Sequence, residues 1–214
     1  MSVRILVADD HALVRQGMRA LLADEKVTII AEATNGREAV DLAEQHHPDI
    51  AIIDISMREL NGLEAIVQIR KKSPNTVVIA LSMFGDERYV TRALKSGAKA
   101  YVLKDSSGED LLDAIHAVQQ GQSFFSPSVA KIMLEAYSRG LEGLDVEDKY
   151  ELLTDREREI YQMLAEGKTN KIIAEQLTLK MHTVETHRLR IMNKMDVHNM
   201  AELVLSAVRR GVVA

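Results

Sequence analysis

Apolar and polar positions follow two rhythms along the first 122 residues. Short, nearly unbroken apolar runs at residues 4–8, 28–33, 50–54, 76–81 and 100–103 read as strands. The run Ile50-Ala51-Ile52-Ile53 is apolar at every position, as a strand buried on both faces requires. Between the runs, segments at about 12–23, 37–46, 63–72, 87–96 and 109–120 carry apolar residues at helical spacing. The joins hold turn signals: Asn35-Gly36, Asn61-Gly62, Ser73-Pro74-Asn75, Ser96-Gly97 and Ser107-Gly108. Five strand–helix units in succession predict an α/β domain with a parallel sheet and helices on both faces.

The alternation stops after residue 122. Ser123-Phe124-Phe125-Ser126-Pro127 reads as a turn into a helix over 129–137, which Gly140-Leu141-Glu142-Gly143-Leu144 breaks. Residues 123–149 are therefore expected to be a partly helical linker, flexible after Arg139. At Thr154-Asp155-Arg156-Glu157 a capping box opens a helix that stops at Gly167. Thr169 caps a short helix to Leu177, and after residues 178–181 another helix runs over 182–195. Two short helices joined by a tight turn are the helix-turn-helix pattern, and a last helix follows over 200–210. The chain divides into an α/β domain at 1–122, a linker and a small all-α domain at 150–214.

Charge separates the same parts. The chain of 214 residues carries −5 overall, with −6 in residues 1–149 and +1 in residues 150–214. Residues 168–194 hold six basic side chains against two acidic ones, a local excess that suits phosphates, although a solvated helical face would look alike. The absence of cysteine excludes a disulfide framework and thiol chemistry. The chain enters a strand by Arg4, and no apolar run approaches the ~20 residues of a membrane helix. A cytoplasmic protein with no membrane partner is expected.

The strand ends carry the candidate chemistry. In an open α/β sheet, ligands bind beyond the carboxyl ends of the strands. There the first run ends on Asp9-Asp10, the third on Asp54, the fourth on Ser82 and the fifth on Lys104. Three carboxylates at one edge repel one another, and a hard divalent cation such as Mg²⁺ relieves that repulsion. An aspartate can attack a phosphoryl group and hold it as an acyl phosphate, with metal and lysine neutralising its oxygens and a hydroxyl bonding one of them. Singly, each residue has a plainer role: a helix cap for Asp9 or Asp10, an ion pair for Lys104, a turn for Ser82.

These residues, with Met57, Gly62 and the run Gly97-Ala98-Lys99-Ala100-Tyr101-Val102-Leu103-Lys104, resemble the receiver domains of two-component response regulators over residues 3–121. The resemblance implies a flavodoxin-like, five-stranded sheet in the order 2-1-3-4-5. It implies a sensor histidine kinase that phosphorylates Asp54, and Mg²⁺ held by Asp9, Asp10, Asp54 and the Ser56 carbonyl. Ser82 and Tyr101 take the positions of the family's switch residues. Two departures stand out. Arg58-Glu59 follows Met57 where proline is common, and Ser82 replaces the commoner threonine.

In the helix at 182–195, Val184, Ile191 and Met195 share a stripe expected to face inward, and Glu185, Thr186, Leu189 and Asn193 lie largely opposite. That second face suits the major groove, with Thr186 and Leu189 for thymine methyls and Glu185 for a cytosine amino group. Lys171, Lys180, Arg190 and Lys194 are candidates for phosphate contacts. A helical protein-binding module would show similar stripes. However, Leu164-Ala165-Glu166-Gly167-Lys168, Asn170-Lys171, Ile173-Ala174 and Thr183-Val184-Glu185-Thr186-His187 resemble the LuxR-type DNA-binding domain. Together the two domains resemble the NarL/FixJ class of response regulators, which implies double-stranded DNA as a partner. Departures here are Asp155 for proline, Glu185 for lysine and Arg188 at a usually apolar position.

The last helix has two apolar stripes, Met200/Val204/Val208 and Leu203/Ala207. One can pack inward, leaving the other for a partner, or both can be buried. The resemblance implies a homodimer in the active form, reading half-sites about one helical turn apart. Two other functions compete. A phosphohydrolase resembling the haloacid-dehalogenase class needs a second aspartate two residues after the nucleophile, where this chain has Ser56, so an enzyme is not expected. A phosphorylation-independent DNA-binding regulator would use the first domain only for docking or dimerisation, and the acidic triad argues against that.

Overall fold

The computed structural model describes residues 2–23, 26–140 and 149–213. Two compact units, Met1–Gly143 and Leu144–Ala214, make up the chain. In the first, β1 (Val3–Ala8), α1 (Ala12–Leu22), β2 (Val27–Ala33), α2 (Gly36–His46), β3 (Ile50–Asp54), α3 (Gly62–Lys72), β4 (Val77–Ser82), α4 (Glu87–Ser96), β5 (Ala100–Leu103) and α5 (Gly108–Gln119) alternate as the apolar pattern predicts. A short β6 (Phe124–Phe125) and α6 (Pro127–Gly140) follow. The sheet order is β2-β1-β3-β4-β5-β6, with every pairing parallel.

Successive residues on a strand point to opposite faces, and this divides the core in two. Ile5, Val7, Ile50, Ile52, Ile79, Leu81 and Val102 pack on one face against Met18 and Leu22 of α1 and Leu111, Ile115 and Val118 of α5. Leu6, Ala8, Ala51, Ile53, Val78, Ala80 and Tyr101 pack on the other against α2, α3 and α4. All five residues of β3 are buried, which explains the absence of polar alternation there. The polar residues at the joins mostly serve as caps. Asn35, Asn61, Asp86 and Ser107 accept hydrogen bonds from backbone N–H groups in the first turns of α2, α3, α4 and α5. Gly97, at φ 104°, ends α4 in the left-handed region that favours glycine.

The sheet therefore has six strands rather than the expected five. Residues 124 and 125 pair in parallel with Ala100 and Tyr101, and Val129 of α6 is buried in the same core as Tyr101. The linker expected from residue 123 thus begins inside the first unit. The flexibility expected after Arg139 falls largely on residues 141–148, outside the described residues.

The second unit opens with a 3-10 turn at Lys149–Leu152, then α7 (Asp155–Ala165), α8 (Asn170–Gln176), α9 (Met181–Met195) and α10 (Met200–Arg209). The capping box at Thr154 and Glu157 is complete. Its core joins Ile160, Met163 and Leu164 of α7, Ile173 of α8, Val184, Ile191 and Met195 of α9, and Leu203 and Ala207 of α10. Tyr161 and Ser206 link α7 to α10 through their hydroxyls at 2.5 Å. Among the described residues no helix is long and apolar enough to cross a membrane.

Candidate functional site

Because β1, β3, β4 and β5 are successive neighbours in the sheet, their carboxyl ends meet at one edge. Asp9, Asp54 and Ser82 are buried there, and Lys104 reaches between the two acids. Its Nζ lies 2.7 Å from Asp9 Oδ2 and 2.8 Å from Asp54 Oδ2. Burial pushes the Asp54 carboxyl up and Asp9 adds to this, while Lys104 and the Ser56 amide oppose it. Burial also disfavours the Lys104 ammonium, but the two carboxylates outweigh it and its pKa is raised, so the lysine is held charged.

Backbone donors fix the acids. Asp54 Oδ1 accepts from Ser56 N at 3.1 Å, and Asp9 Oδ1 accepts from His11 N at 2.8 Å. The loop after Asp54 folds back tightly: Gly62 N donates to the Ile55 carbonyl at 3.1 Å, and a Cβ on Gly62 would sit 2.1 Å from the Asp54 carbonyl. Any side chain at Gly62 would displace the residue that ends β3.

Asp10 sits further out. Its Oδ1 lies 2.8 Å from His11 Nδ1 and its Oδ2 lies 3.5 Å from Arg58 Nε. Asp9, Asp10, His11 and Asp54 can each turn one ligand atom to within 4.8 Å of the others. Asp9 Oδ2 and Asp10 Oδ1 are buried and accept no well-directed hydrogen bond, although Lys104 Nζ and His11 Nδ1 respectively lie within ion-pair distance. Buried carboxylate oxygens with lone pairs to spare fit a hard divalent cation. The residues expected to hold Mg²⁺ are thus brought together, with Ser56 exposed at the rim. His11 is an addition that sequence reasoning missed, although it directly follows the acidic pair. An imidazole is a poor ligand for Mg²⁺, so its place is that of a hydrogen-bonding neighbour.

Ser82 and Tyr101 meet through a residue that sequence reasoning did not single out. Phe84 N donates to Ser82 Oγ at 2.9 Å, and Tyr101 OH donates to the Phe84 carbonyl at 2.5 Å. Tyr101 is fully buried, and burial raises its phenol pKa far above the ordinary value. The Phe84 ring stacks on Tyr89 with centroids 4.7 Å apart. The Phe84 backbone therefore donates to one expected switch residue and accepts from the other.

In the second unit, Val184, Ile191 and Met195 of α9 are buried, while Glu185, Leu189, Arg190 and Asn193 are exposed, as are Lys171 and Lys180. Thr186 donates its hydroxyl to the His182 carbonyl at 3.0 Å, which commits that proton to the helix. Lys194 departs from the expected phosphate-facing set, because its Nζ lies 2.6 Å from Glu157 Oε2 and so ties α9 to the capping box of α7. Met181 and Ile172, not singled out from the sequence, are exposed apolar residues on α9 and α8. On α10, Leu203 and Ala207 are buried and Met200 packs partly on the core, whereas Leu205 and Val208 are exposed.

Comparison with known proteins gives two family matches. Residues 5–116 match the response regulator receiver domain, and residues 151–207 match the bacterial regulatory proteins of the luxR family. The chain is 37% identical to the transcriptional regulatory protein YxjL of Bacillus subtilis, over 99% of this chain and 97% of that one. It is also 37% identical to the oxygen regulatory protein NreC of Staphylococcus epidermidis, over 99% of both chains. Among solved structures, the RcsB response regulator of Salmonella typhimurium matches with a TM-score of 0.60 at 26% identity, covering 97% of this chain and 99% of that one.

Proposed function

Since this chain belongs to the response regulators that join a receiver domain to a LuxR-type DNA-binding domain, we propose that it is a cytoplasmic transcription factor gated by phosphorylation of Asp54. A DNA-binding regulator rather than an enzyme is what its family indicates. The observation that carries the proposal is the Lys104 ammonium between two buried aspartates at the sheet edge.

In this reading a sensor histidine kinase presents a phosphohistidine. An Asp54 oxygen forms the new O–P bond as the donor's P–N bond breaks, and the bonding pair stays on the imidazole. Lys104 then turns from the Asp54 carboxylate to the incoming phosphoryl oxygens and offsets their charge. Asp9, Asp10, Asp54 and the Ser56 carbonyl would hold Mg²⁺, which supplies further neutralisation of phosphoryl charge. Ser82 gives up the Phe84 amide to donate its hydroxyl to a phosphoryl oxygen. That frees the 82–84 segment to move, and Tyr101, already bonded to the Phe84 carbonyl, follows it.

The output is a population shift toward a homodimer that binds double-stranded DNA. The exposed face of α9, with Glu185, Thr186, Leu189 and Asn193, would read base edges, and Lys171, Lys180 and Arg190 would meet phosphates. The stripe of α10 that holds half-buried Val204 and exposed Val208 suits pairing of two copies on adjacent half-sites. The test is incubation with a small phosphodonor and Mg²⁺, followed by mass spectrometry. A phosphoryl group on Asp54, lost in Asp54→Asn, supports the proposal. A phosphoryl group elsewhere, or none, contradicts it.

A further inference from the structure

Arg58 lies in the loop after Asp54, and its position is defined on both sides. Met57 and Leu60 are buried, the Leu60 amide donates to the Arg58 carbonyl at 2.9 Å, and Glu59 adopts φ 68°. The backbone is therefore clamped while the Arg58 side chain remains 83% exposed. From there its Nε lies 3.5 Å from Asp10 Oδ2. Asp9 and Asp54 share Lys104, which is only 9% exposed. The acidic site thus has an inner cation that is buried and an outer one that is free to leave.

We propose that Arg58 is a competing counter-cation for Asp10 and lowers the affinity of the acidic site for divalent metal. Departure costs little because the side chain is exposed, and that limits the size of the effect. An exposed pair of this kind should weaken divalent binding by about two- to fivefold. Salt screens the pair, so the effect should shrink as ionic strength rises.

The inference rests on the reading of Asp9, Asp10 and Asp54 as Mg²⁺ ligands, and one experiment separates the two. Mg²⁺ is titrated calorimetrically into the full chain at low ionic strength, with wild type, Arg58→Ala and Arg58→Gln. The Arg58 Nε–H signal is followed in parallel by NMR, assigned by its absence from the variants. Both variants are expected to bind Mg²⁺ about two- to fivefold more tightly, with the wild-type Nε–H signal moving as the metal saturates. Equal affinity in all three proteins overturns the role of Arg58 and leaves the metal site standing. Tighter binding with an Nε–H signal indifferent to Mg²⁺ also overturns it, because only bulk charge would then be at work. No Mg²⁺ binding by any of the three removes the metal site and the inference together.

Discussion

Lys104 and Asp54 meet at 2.8 Å although 50 residues separate them, because β3 and β5 flank β4 in the parallel sheet and bring the last residue of β3 and the first residue after β5 to one edge. Both groups are largely buried, so each is costly without the other. Lys104→Met leaves Asp54 beside Asp9 with no cation between them. The carboxyl pair then retains a proton more readily, and phosphoryl groups lose their lysine partner. Phosphorylation by a small phosphodonor is expected to slow by ~100-fold or more, measured by phosphate-affinity electrophoresis. A rate within threefold of wild type would remove Lys104 from the chemistry.

Tyr101→Phe keeps the buried ring and removes one hydroxyl, stranding the Phe84 carbonyl. Urea unfolding of the first unit should show a loss of roughly 1 kcal/mol. Phosphoryl incorporation at Asp54 should be unchanged, while its effect on DNA binding is weakened. Loss of incorporation as well would place Tyr101 in the transfer step.

The Glu157 carboxylate is held below its ordinary 4.5: burial raises it, but Lys194 and the Thr154 donors together pull it lower. A group with a lowered pKa in the folded state stabilises that state fully above its unfolded value. That stability is lost as pH falls below about 4.5 through the folded value. Hydrogen exchange of α7 amides should therefore speed up on acidification in wild type and depend less on pH in Glu157→Gln. Identical pH profiles would show that the pair contributes nothing to folding.

Lys171 and Lys180 are exposed, whereas Lys194 is engaged by Glu157. Lys171→Ala and Lys180→Ala should each weaken DNA binding and lower the salt slope by about one. Lys194→Met should instead cost roughly 1 kcal/mol of stability in the second unit and leave the salt slope alone. A reduced slope in Lys194→Met would restore it to the phosphate-contacting set.

Val208 is exposed on α10 beside half-buried Val204, while Leu203 and Ala207 fill the core. Val208→Asp should leave the second unit folded and abolish dimers on DNA, seen by light scattering of the complex. Dimers that persist would place the pairing surface elsewhere.

Much of this was legible in the sequence because local signals and burial agree. The run Ile50-Ala51-Ile52-Ile53 sends Ile50 and Ile52 to one face and Ala51 and Ile53 to the other, so its lack of alternation was a direct sign of a covered sheet. Asp54, Ser82 and Lys104 each end a strand run, which is why they meet at one sheet edge. β6 was not legible, since two phenylalanines between serines carry no period and their pairing with β5 is decided by tertiary structure. The role of Phe84 lies in its backbone groups, which side-chain chemistry does not announce. The pairing of Lys194 was not legible because a helical face says where a side chain starts, and a long lysine can reach a partner 37 residues away on α7.

Binding to operator-bearing DNA at fixed salt, with and without a phosphodonor and Mg²⁺, distinguishes gating at Asp54 when wild type is compared with Asp54→Ala. Phosphodonor is expected to tighten binding in wild type and to leave Asp54→Ala unchanged. Equal, sequence-specific binding by both proteins, indifferent to the phosphodonor, would contradict gating and leave a constitutive DNA-binding regulator.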